Sequence, residues 1–250
     1  NINNKYFGID KYAGLNKQDL MDDFSLINYE GKTPDQLSAS DAYNVAMYKL
    51  GLEENYYRLT FGDLQTSAGV DQTVHSVISK SGDVYGQEFC TYSSMVKRAG
   101  KCSFKKGEDI YLYEGTPTGS DLLDVKWSNN YQHYTYDEYA TLLGREPAFD
   151  GHYIISSKTV IEMGECIQND GLYTFKVVLD PTLSTISYID EVSFISDIDK
   201  STISFSLIEC EFTMDKNFRF VSQKNHESYS LKYSGIPVTI DAYYDITTTY

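Results

Sequence analysis

The side chains that could take part in catalysis are scattered along this chain, and no known catalytic pattern joins them. Ser94 and Lys97 have an S-x-x-K spacing, but they lie in a predicted strand, and the S-D-N and K-T-G motifs of that hydrolase class are missing. The chain has no G-x-S-x-G turn for a nucleophilic serine and no glycine-rich sequence of the kinds that bind phosphates. We therefore predict that the protein is not an enzyme. The competing hypothesis is a hydrolase whose catalytic residues are far apart in the sequence.

The candidate metal ligands are equally isolated. None of the four histidines belongs to the close pair that zinc sites use. These histidines are His75, His133, His152 and His226. Residues 197–201 resemble the start of a calcium loop, but Thr202 and Ile208 stand where such a loop needs a glycine and a bidentate glutamate. We predict neither a metal nor a cofactor.

The four cysteines could provide thiol chemistry or disulfides, and they are Cys90, Cys102, Cys166 and Cys210. Their spacing is too wide for a C-x-x-C metal or redox motif. Free buried thiols and disulfides both fit the pattern, and we favour free thiols because cysteine is among the most often buried residue types. An exported chain would allow a disulfide, although a core of this size does not need one.

Residues 127–139 are the densest unusual segment, because aromatic side chains alternate there with amides in a predicted loop. Such rings could stack on a sugar or line a ligand cleft. The candidate ligand-binding residues are Trp127, Tyr131, Tyr134 and Tyr136. A structural interpretation, in which the rings pack a short helix onto the sheet, also accounts for the segment, and we favour it.

The charge balance excludes two classes of partner. The chain of 250 residues has 21 Lys and Arg against 36 Asp and Glu, which leaves a net charge of −15. Nucleic-acid phosphates and anionic lipid headgroups both attract positive surfaces, so we expect neither as a partner. No apolar run reaches the roughly 18 residues that a membrane-spanning helix needs.

The first residue is Asn1 rather than Met, which indicates that a leader was removed. We therefore expect an exported protein, either extracellular or at the cell surface. Peripheral attachment through a lipid anchor upstream of Asn1 stays open.

Residues 1–37 are polar and broken by glycines, and they predict an N-terminal arm with one short helix near residues 19–26. Residues 38–250 are expected to form one domain. Its first helix is predicted to begin after Ser38 or Ser40 and to end at Gly51.

A meander of antiparallel strands is predicted to follow this helix. Tyr57, Leu59 and Phe61 alternate with polar or small residues, which is the period of a half-buried strand. Turn signals then recur at a spacing that suits hairpins and is too short for helical crossovers. Residues 115–121, rich in Gly, Thr and Ser, are expected to form a loop.

The second half of the chain predicts two helices and a hairpin. Thr135 and Glu138 have the spacing of a capping box, which favours a short helix to about Leu143. A hairpin turn is expected at residues 169–171, between strands 153–168 and 172–179. Asp180 followed by Pro181 is typical of a helix start, and its apolar period extends to about Ile195.

Three strands are predicted to close the chain. In the first of them, the apolar positions change parity between Leu207 and Ile208, which indicates a β-bulge. The second is expected to break near residues 224–226. The third alternates cleanly from Ile236 to Ile246.

This layout, together with the local sequences at residues 104–113, 153–160 and 213–219, resembles that of exported bacterial lipoproteins with the LolA/LppX-type half-barrel fold. The resemblance spans about residues 38–248. It implies an α+β fold, in which a strongly curved, open antiparallel sheet of about 9–11 strands has helices covering its concave face.

The resemblance also implies a function. The protein is expected to be a non-enzymatic component of the cell envelope that binds a hydrophobic or lipid-like ligand between sheet and helices. Because many of the inward candidates are tyrosines, such a cavity would suit a smaller or more polar ligand, or would simply be a filled core. The alternative is an interaction or glycan-binding module that uses the aromatic segment.

Overall fold

The computed structural model describes residues 16–93, 99–118, 124–143, 153–189, 192 and 198–250. Its helices with described bounds are α1 (Lys17–Leu20), α2 (Ala39–Leu52) and α3 (Tyr136–Leu143). Short 3-10 turns lie at Phe24–Leu26, Pro34–Gln36 and Lys200–Thr202. The strands are β1 (Asn55–Thr66), β2 (Gln72–Ser81), β3 (Val84–Ser93), β4 (Ala99–Lys106), β5 (Asp109–Pro117), β6 (Val125–Thr135), β7 (Val160–Met163), β8 (Ile167–Asn169), β9 (Leu172–Leu179), β10 (Ser204–Asp215), β11 (Phe220–Tyr233) and β12 (Ile236–Thr249).

The chain packs as two compact units. Unit 1 comprises Asn1–Leu52 with His152–Tyr243, and unit 2 comprises Glu53–Gly151 with Tyr244–Tyr250, so that β12 contributes residues to both. Strands β1 to β6 pair antiparallel in chain order in unit 2, and β7 to β11 pair antiparallel in unit 1. The hydrogen-bonding path of the twelve strands ends at β6 and β7 and does not close.

The predicted fold class is confirmed: the sheet is antiparallel and unclosed, and helices are few. It has twelve strands in place of the 9–11 expected. The expectation of one domain after an N-terminal arm stays a prediction. Described residues of that arm, from Asn16 onwards, belong to unit 1.

In unit 1, helix α2 covers one face of the sheet, and its aromatic contacts explain how it is held. Ser38 accepts a hydrogen bond from the backbone N–H of Asp41 at 3.1 Å and thus caps the helix start, as predicted. The ring of Tyr43 meets Phe212 at 5.1 Å and Phe220 at 5.4 Å between centroids, edge to face. The helix continues through Gly51, which does not end it as expected.

Local turn and capping signals are confirmed by the structure. Asp170 and Gly171 both have positive φ angles, 49° and 78°, as a tight hairpin turn between β8 and β9 requires. The capping box at α3 is also present: Thr135 N–H donates to Glu138 Oε2 at 2.8 Å, and Glu138 N–H donates to Thr135 Oγ1 at 3.3 Å.

The predicted bulge in β10 is confirmed. Its register against β11 shifts between Phe205 and Leu207, so that Phe205 and Ile208 are both buried although their positions differ in parity. A larger shift occurs in unit 2, where residues 128–130 of β6 lie opposite Glu114 alone.

Several of the expected element bounds differ from those in the structure. Residues 127–135 form strand β6 instead of a loop, because they pair with β5 along most of its length. The predicted loop at 115–121 begins later, since β5 extends to Pro117, and residues 119–123 lie outside the described part of the chain.

The segment expected to be a strand at 153–168 contains only β7 and β8, separated by an irregular stretch and preceded by a turn. Strand β11 passes through residues 224–226 without a break. The helix expected from Pro181 to Ile195 shows turns at 181–187 and helical backbone at 188, 189 and 192, while its other residues lie outside the described ranges.

Candidate functional site

The strand registers of unit 2 define which side chains share a face. Residues directly opposite in an antiparallel pair point to the same side of the sheet. Phe61 lies opposite His75, His75 opposite Cys90, and Cys90 opposite Gly100. Continuing through β4 and β5, Gly100 lies opposite Gly115, which lies opposite Trp127.

One side of this sheet carries eight Phe, Tyr and Trp residues, and we call it the aromatic face. Its rings are Tyr57, Phe61, Tyr92, Phe104, Tyr111, Tyr113, Trp127 and Tyr131. Four of them are largely accessible, with exposed fractions of 42% for Tyr57, 40% for Phe61, 43% for Tyr92 and 55% for Tyr131. Large accessible aromatic surface is unusual in a soluble protein and marks a candidate binding surface.

The rings contact one another near the β5–β6 end of the aromatic face. Tyr131 lies 5.4 Å from Tyr113 and 5.7 Å from Tyr111 between centroids. Tyr111 also stacks on the imidazole of His133 at 4.9 Å, and His133 Nε2 lies 2.7 Å from Asp109 Oδ1. These contacts hold the rings in fixed orientations, so the surface is organised before any ligand arrives.

Glu88 is the acidic group at the middle of the aromatic face. It lies opposite Val77 on β2 and Cys102 on β4. Gly86, two residues before Glu88 on the same face, lies opposite Phe104 on β4. Burial among these groups raises the pKa of the half-buried Glu88 carboxyl above its ordinary value. No hydrogen bond or ion pair to Glu88 is found among the described residues.

The Cys90 and Cys102 thiols beside Glu88 are expected to be unreactive at neutral pH. Burial and the nearby Glu88 charge raise the pKa of Cys90 to about 11 and, with Cys90 as a further cause, the pKa of Cys102 to about 12. Both thiols are therefore protonated at neutral pH, and a protonated thiol is neither a good nucleophile nor a metal ligand. All four cysteines of the chain are free in the structure, and Cys90, Cys102 and Cys210 are buried.

Charged side chains in unit 2 are sorted by face. The side opposite the aromatic face carries Arg58, Lys80, Lys101 and Lys105. Two of these amines lie over rings, Lys80 at 5.5 Å from Tyr85 and Lys105 at 5.3 Å from Tyr136. On the described strands of the aromatic face, Lys106 at the β4–β5 turn is the sole Lys or Arg, whereas Asp63, Glu88 and Asp109 are acidic.

The four predicted ligand-binding residues separate into two pairs. Trp127 and Tyr131 lie on the aromatic face. Tyr134 lies on the opposite side, where its ring is 5.9 Å from that of Tyr139 in α3, and Tyr136 begins that helix. The structure therefore does not bring all four together, and whether any of them binds a ligand stays a prediction.

Sequence analysis missed most of the aromatic face because the alternation in β1 was assigned to the wrong side. Tyr57 and Phe61 were expected to be buried, yet Tyr56 and Arg58 are the buried residues. The available signal was the series of large apolar residues at every second position in β1, at Tyr57, Leu59 and Phe61, and the pair Tyr111 and Tyr113 in β5. Glu88 carried no signal of its own, since its role depends on strands far apart in the sequence.

Unit 1 contains a buried polar cluster on β11. Glu227 is fully buried, and its carboxylate accepts hydrogen bonds from the hydroxyls of Tyr153 and, at 3.1 Å, Tyr188. Further along the strand, Gln223 Nε2 donates to Asn225 Oδ1 at 2.9 Å. Burial and the charge of Glu227 raise the pKa of Tyr229 far above its usual range. Because the cluster is enclosed, it stabilises the fold and presents no acid or base to a substrate.

A second polar cluster lies on the outer side of the same strands. His226 Nδ1 is 2.9 Å from Glu209 Oε2 on β10, and His226 Nε2 is 2.9 Å from Asp241 Oδ1 on β12. Ser228 donates to the same Asp241 oxygen at 2.6 Å, and the Tyr243 ring is parallel to the imidazole at 4.2 Å. The serine contacts the aspartate and not the histidine, so this is not a nucleophile–base pair.

Within the described ranges, no group of three or more His, Cys, Asp and Glu side chains could hold a metal ion. No described helix is long and apolar enough to cross a bilayer.

Comparisons with known proteins give structural similarities alone. No family model and no curated protein matches the chain. A LolA superfamily protein from Nitrosomonas europaea matches 86% of this chain and 92% of its own, with 8% identity and a TM-score of 0.27. An N-terminal dehydratase from the difficidin assembly line matches 82% of each chain, with 10% identity and a TM-score of 0.13. Similarities of this size carry no information on function.

Proposed function

We propose that this protein is a non-enzymatic binding protein that holds a small, largely apolar molecule on the aromatic face of unit 2. The observation that supports this most directly is the exposure of Tyr57, Phe61, Tyr92 and Tyr131 on one side of one sheet. When an apolar molecule covers these rings, each Å² of apolar surface removed from water stabilises the complex by about 25 cal/mol.

The surface in the middle of the aromatic face, between these exposed rings, is also suited to an apolar ligand. His75, Val77, Cys90 and Cys102 are buried in the middle of the face. The thiols there are protonated at neutral pH, so neither of them is available as a nucleophile. Binding without chemistry is the function that this combination supports best.

The proposal includes an exported location at the cell envelope. Its support is the resemblance of the sequence to exported lipoproteins of the half-barrel type, which also carry apolar molecules.

The experiment is a titration of the delipidated protein with Nile red, an uncharged apolar dye whose emission rises when it leaves water. We expect saturable binding that is weakened several-fold by Tyr92→Ser and by Tyr131→Ser. Tyr233→Ser is the matched control, because Tyr233 is an exposed tyrosine of unit 1, 61% accessible. Absence of saturable binding, or an equal loss in the control, would contradict the proposal.

A second candidate is glycan binding at the β6 edge. Asn129 and Asn130 are exposed on β6 between Trp127 and Tyr131 in the sequence. Stacking rings with neighbouring amides is an arrangement that sugars can use. Alanine at Trp127 and Tyr131 should then abolish binding on a glycan array without lowering the melting temperature, and unchanged array binding would dismiss this candidate.

A further inference from the structure

From the charge pattern of unit 2, we infer that the ligand of the aromatic face is an organic cation, a molecule that joins an apolar body to a quaternary or protonated amine, with Glu88 as its counter-ion. The inference rests on the proposed function and adds the chemical class of the ligand. It concerns one face of one sheet, and it is carried by Glu88, by the rings near it and by the scarcity of Lys and Arg on the described strands of this face.

The position of the Glu88 carboxylate favours a bound cation. Glu88 lies directly opposite Val77 on β2 and Cys102 on β4. Phe104, two residues after Cys102 on β4, is on the same face. Neither flanking side chain is charged at neutral pH, because the Cys102 thiol is protonated. A carboxylate that is half-buried among apolar groups is costly unless a cation joins it, and none of the described side chains does so.

The rings of the aromatic face can also attract a cation. The faces of Tyr, Trp and Phe attract cations through their negative π-systems, and quaternary ammonium groups are recognised in this way. Two described amines that lie over rings are on the other side of the sheet, where Lys80 is over Tyr85 and Lys105 is over Tyr136. Among the described residues, no amine lies over Tyr57, Phe104 or Tyr113, so these rings can accept an external cation.

Charge complementarity over longer distances favours a cation as well. Asp63 and Asp109 add acidic groups to the aromatic face, and Lys106 at the β4–β5 turn is the one Lys or Arg on its described strands. The chain as a whole carries a net charge of −15. An anionic amphiphile such as a fatty acid would approach against this field, whereas a cation would be attracted by it.

The test compares three probes with the same apolar chain and different heads: octyltrimethylammonium, octanol and octanoate, titrated calorimetrically into the full chain at low ionic strength. We expect the ammonium to bind about tenfold more tightly than octanol, from cation–π contacts and one carboxylate, and octanoate to bind more weakly than octanol. Glu88→Gln should reduce the ratio of the ammonium to the octanol affinity by about fivefold and leave octanol binding unchanged. Asp63→Asn, at an exposed carboxylate of the same face that acts only through the long-range field, is the comparison and should lower the ratio much less than Glu88→Gln does.

The outcomes separate this inference from the proposed function. Octanoate binding as tightly as the ammonium, or equal ratios in Glu88→Gln and the unmodified protein, would overturn the cation assignment while octanol binding still supports an apolar site. An equal effect of Asp63→Asn would also overturn it, since the general field and not Glu88 would then select the cation. Failure of all three probes to bind would contradict the proposed function itself.

Discussion

The indole of Trp127 packs against the backbone of Gly115, the residue directly opposite on β5. A Cβ atom at position 115 would lie 2.5 Å from Trp127 Cε3 and 2.7 Å from Val125 Cγ1, closer than side chains approach one another. Glycine at position 115 is thus what allows the indole to lie this close to the sheet. The absence of one methyl group sets the position of the ring at this end of the aromatic face.

Gly115→Ala should therefore displace the indole. Trp127 is the single tryptophan of the chain, so its emission spectrum reports the displacement directly. We expect a shift of the emission maximum, and weaker Nile red binding if the ring contributes to the site. Gly51→Ala is the matched control, because a Cβ there meets nothing within 4 Å, and alanine in a helix stabilises by up to about 1 kcal/mol. An unchanged spectrum in Gly115→Ala would show that the ring does not depend on the glycine.

The two tyrosine hydroxyls at Glu227 should be important for stability. Tyr153→Phe and Tyr188→Phe each remove one hydrogen bond to a fully buried carboxyl group. We expect each variant to lose about 1–3 kcal/mol of unfolding free energy, because hydrogen bonds to charged or buried groups contribute this much. The measurement is urea denaturation at neutral pH. Tyr48→Phe, at a tyrosine 45% exposed, should change nothing, and a loss of the same size there would refute the assignment.

The bridge from His226 to Glu209 and Asp241 should make stability depend on pH. Burial acts to lower the pKa of His226, but the hydrogen bonds and charges of the two carboxylates outweigh it and raise the pKa above 6.5. A raised folded-state pKa means that the contribution is fully present below the unfolded value and is lost as the pH rises through the folded value. The pKa of Asp241 is lowered mainly by the hydrogen bonds from Ser228 and His226, so its contribution is lost as the pH falls through that lowered value.

We expect the unfolding free energy of the unmodified protein to decrease from about pH 6.5 upward relative to that of His226→Gln, as measured by urea denaturation over a series of pH values. His133→Gln controls for removal of an exposed histidine beside a carboxylate. Parallel pH profiles for the unmodified protein and His226→Gln would show that the bridge contributes no pH-dependent stability.

Thiol reactivity should distinguish Cys166 from the other three cysteines. Cys90, Cys102 and Cys210 are buried, whereas Cys166 is half-buried. The pKa of Cys166 is raised by burial and by Asp35, but a backbone hydrogen bond with Thr174 opposes the shift. We expect Ellman's reagent at pH 8 to modify one thiol of the native protein rapidly and the others only after unfolding. Cys166→Ser should remove the rapid phase, and its persistence in that variant would contradict the burial of the other thiols.

Local signals predicted those features of the fold that depend on a few consecutive residues. The capping box of Thr135 and Glu138 required only two side chains at the correct spacing, and Asp170 with Gly171 required only backbone that tolerates positive φ. The parity change between Phe205 and Ile208 likewise revealed the bulge in β10. In each case the energetics are local, so the sequence pattern is sufficient.

Features that depend on which face meets the core could not be predicted in this way. A two-residue period separates two faces of a strand but does not say which of them is buried, and β1 buries Tyr56 and Arg58 while it exposes Tyr57. In β11, the polar residues at 224–226 were expected to interrupt the strand. The side chain of Asn225 instead points inward to Gln223, and His226 points outward to Glu209 and Asp241.

Most of the candidate site could not be predicted for the same reason. Trp127 and Tyr131 were identified because they are close together in the sequence. Glu88 was not identified, because its position among aromatic rings arises only when β2, β3 and β4 are aligned in register.

The register shift in β6, where residues 128–130 lie opposite Glu114 alone, affects how the protein should behave at high concentration. β6 ends the strand path of unit 2, so one row of its amide and carbonyl groups meets no described strand. A continuous row of this kind is a template on which a second molecule can add a strand. The extruded residues 128–130, where Asn130 N–H turns back to Ser128 Oγ at 3.1 Å, interrupt the row near its middle. The aromatic face can thus remain open to small molecules, while the interrupted edge hinders the addition of a strand from a second molecule, which is the first step toward aggregation.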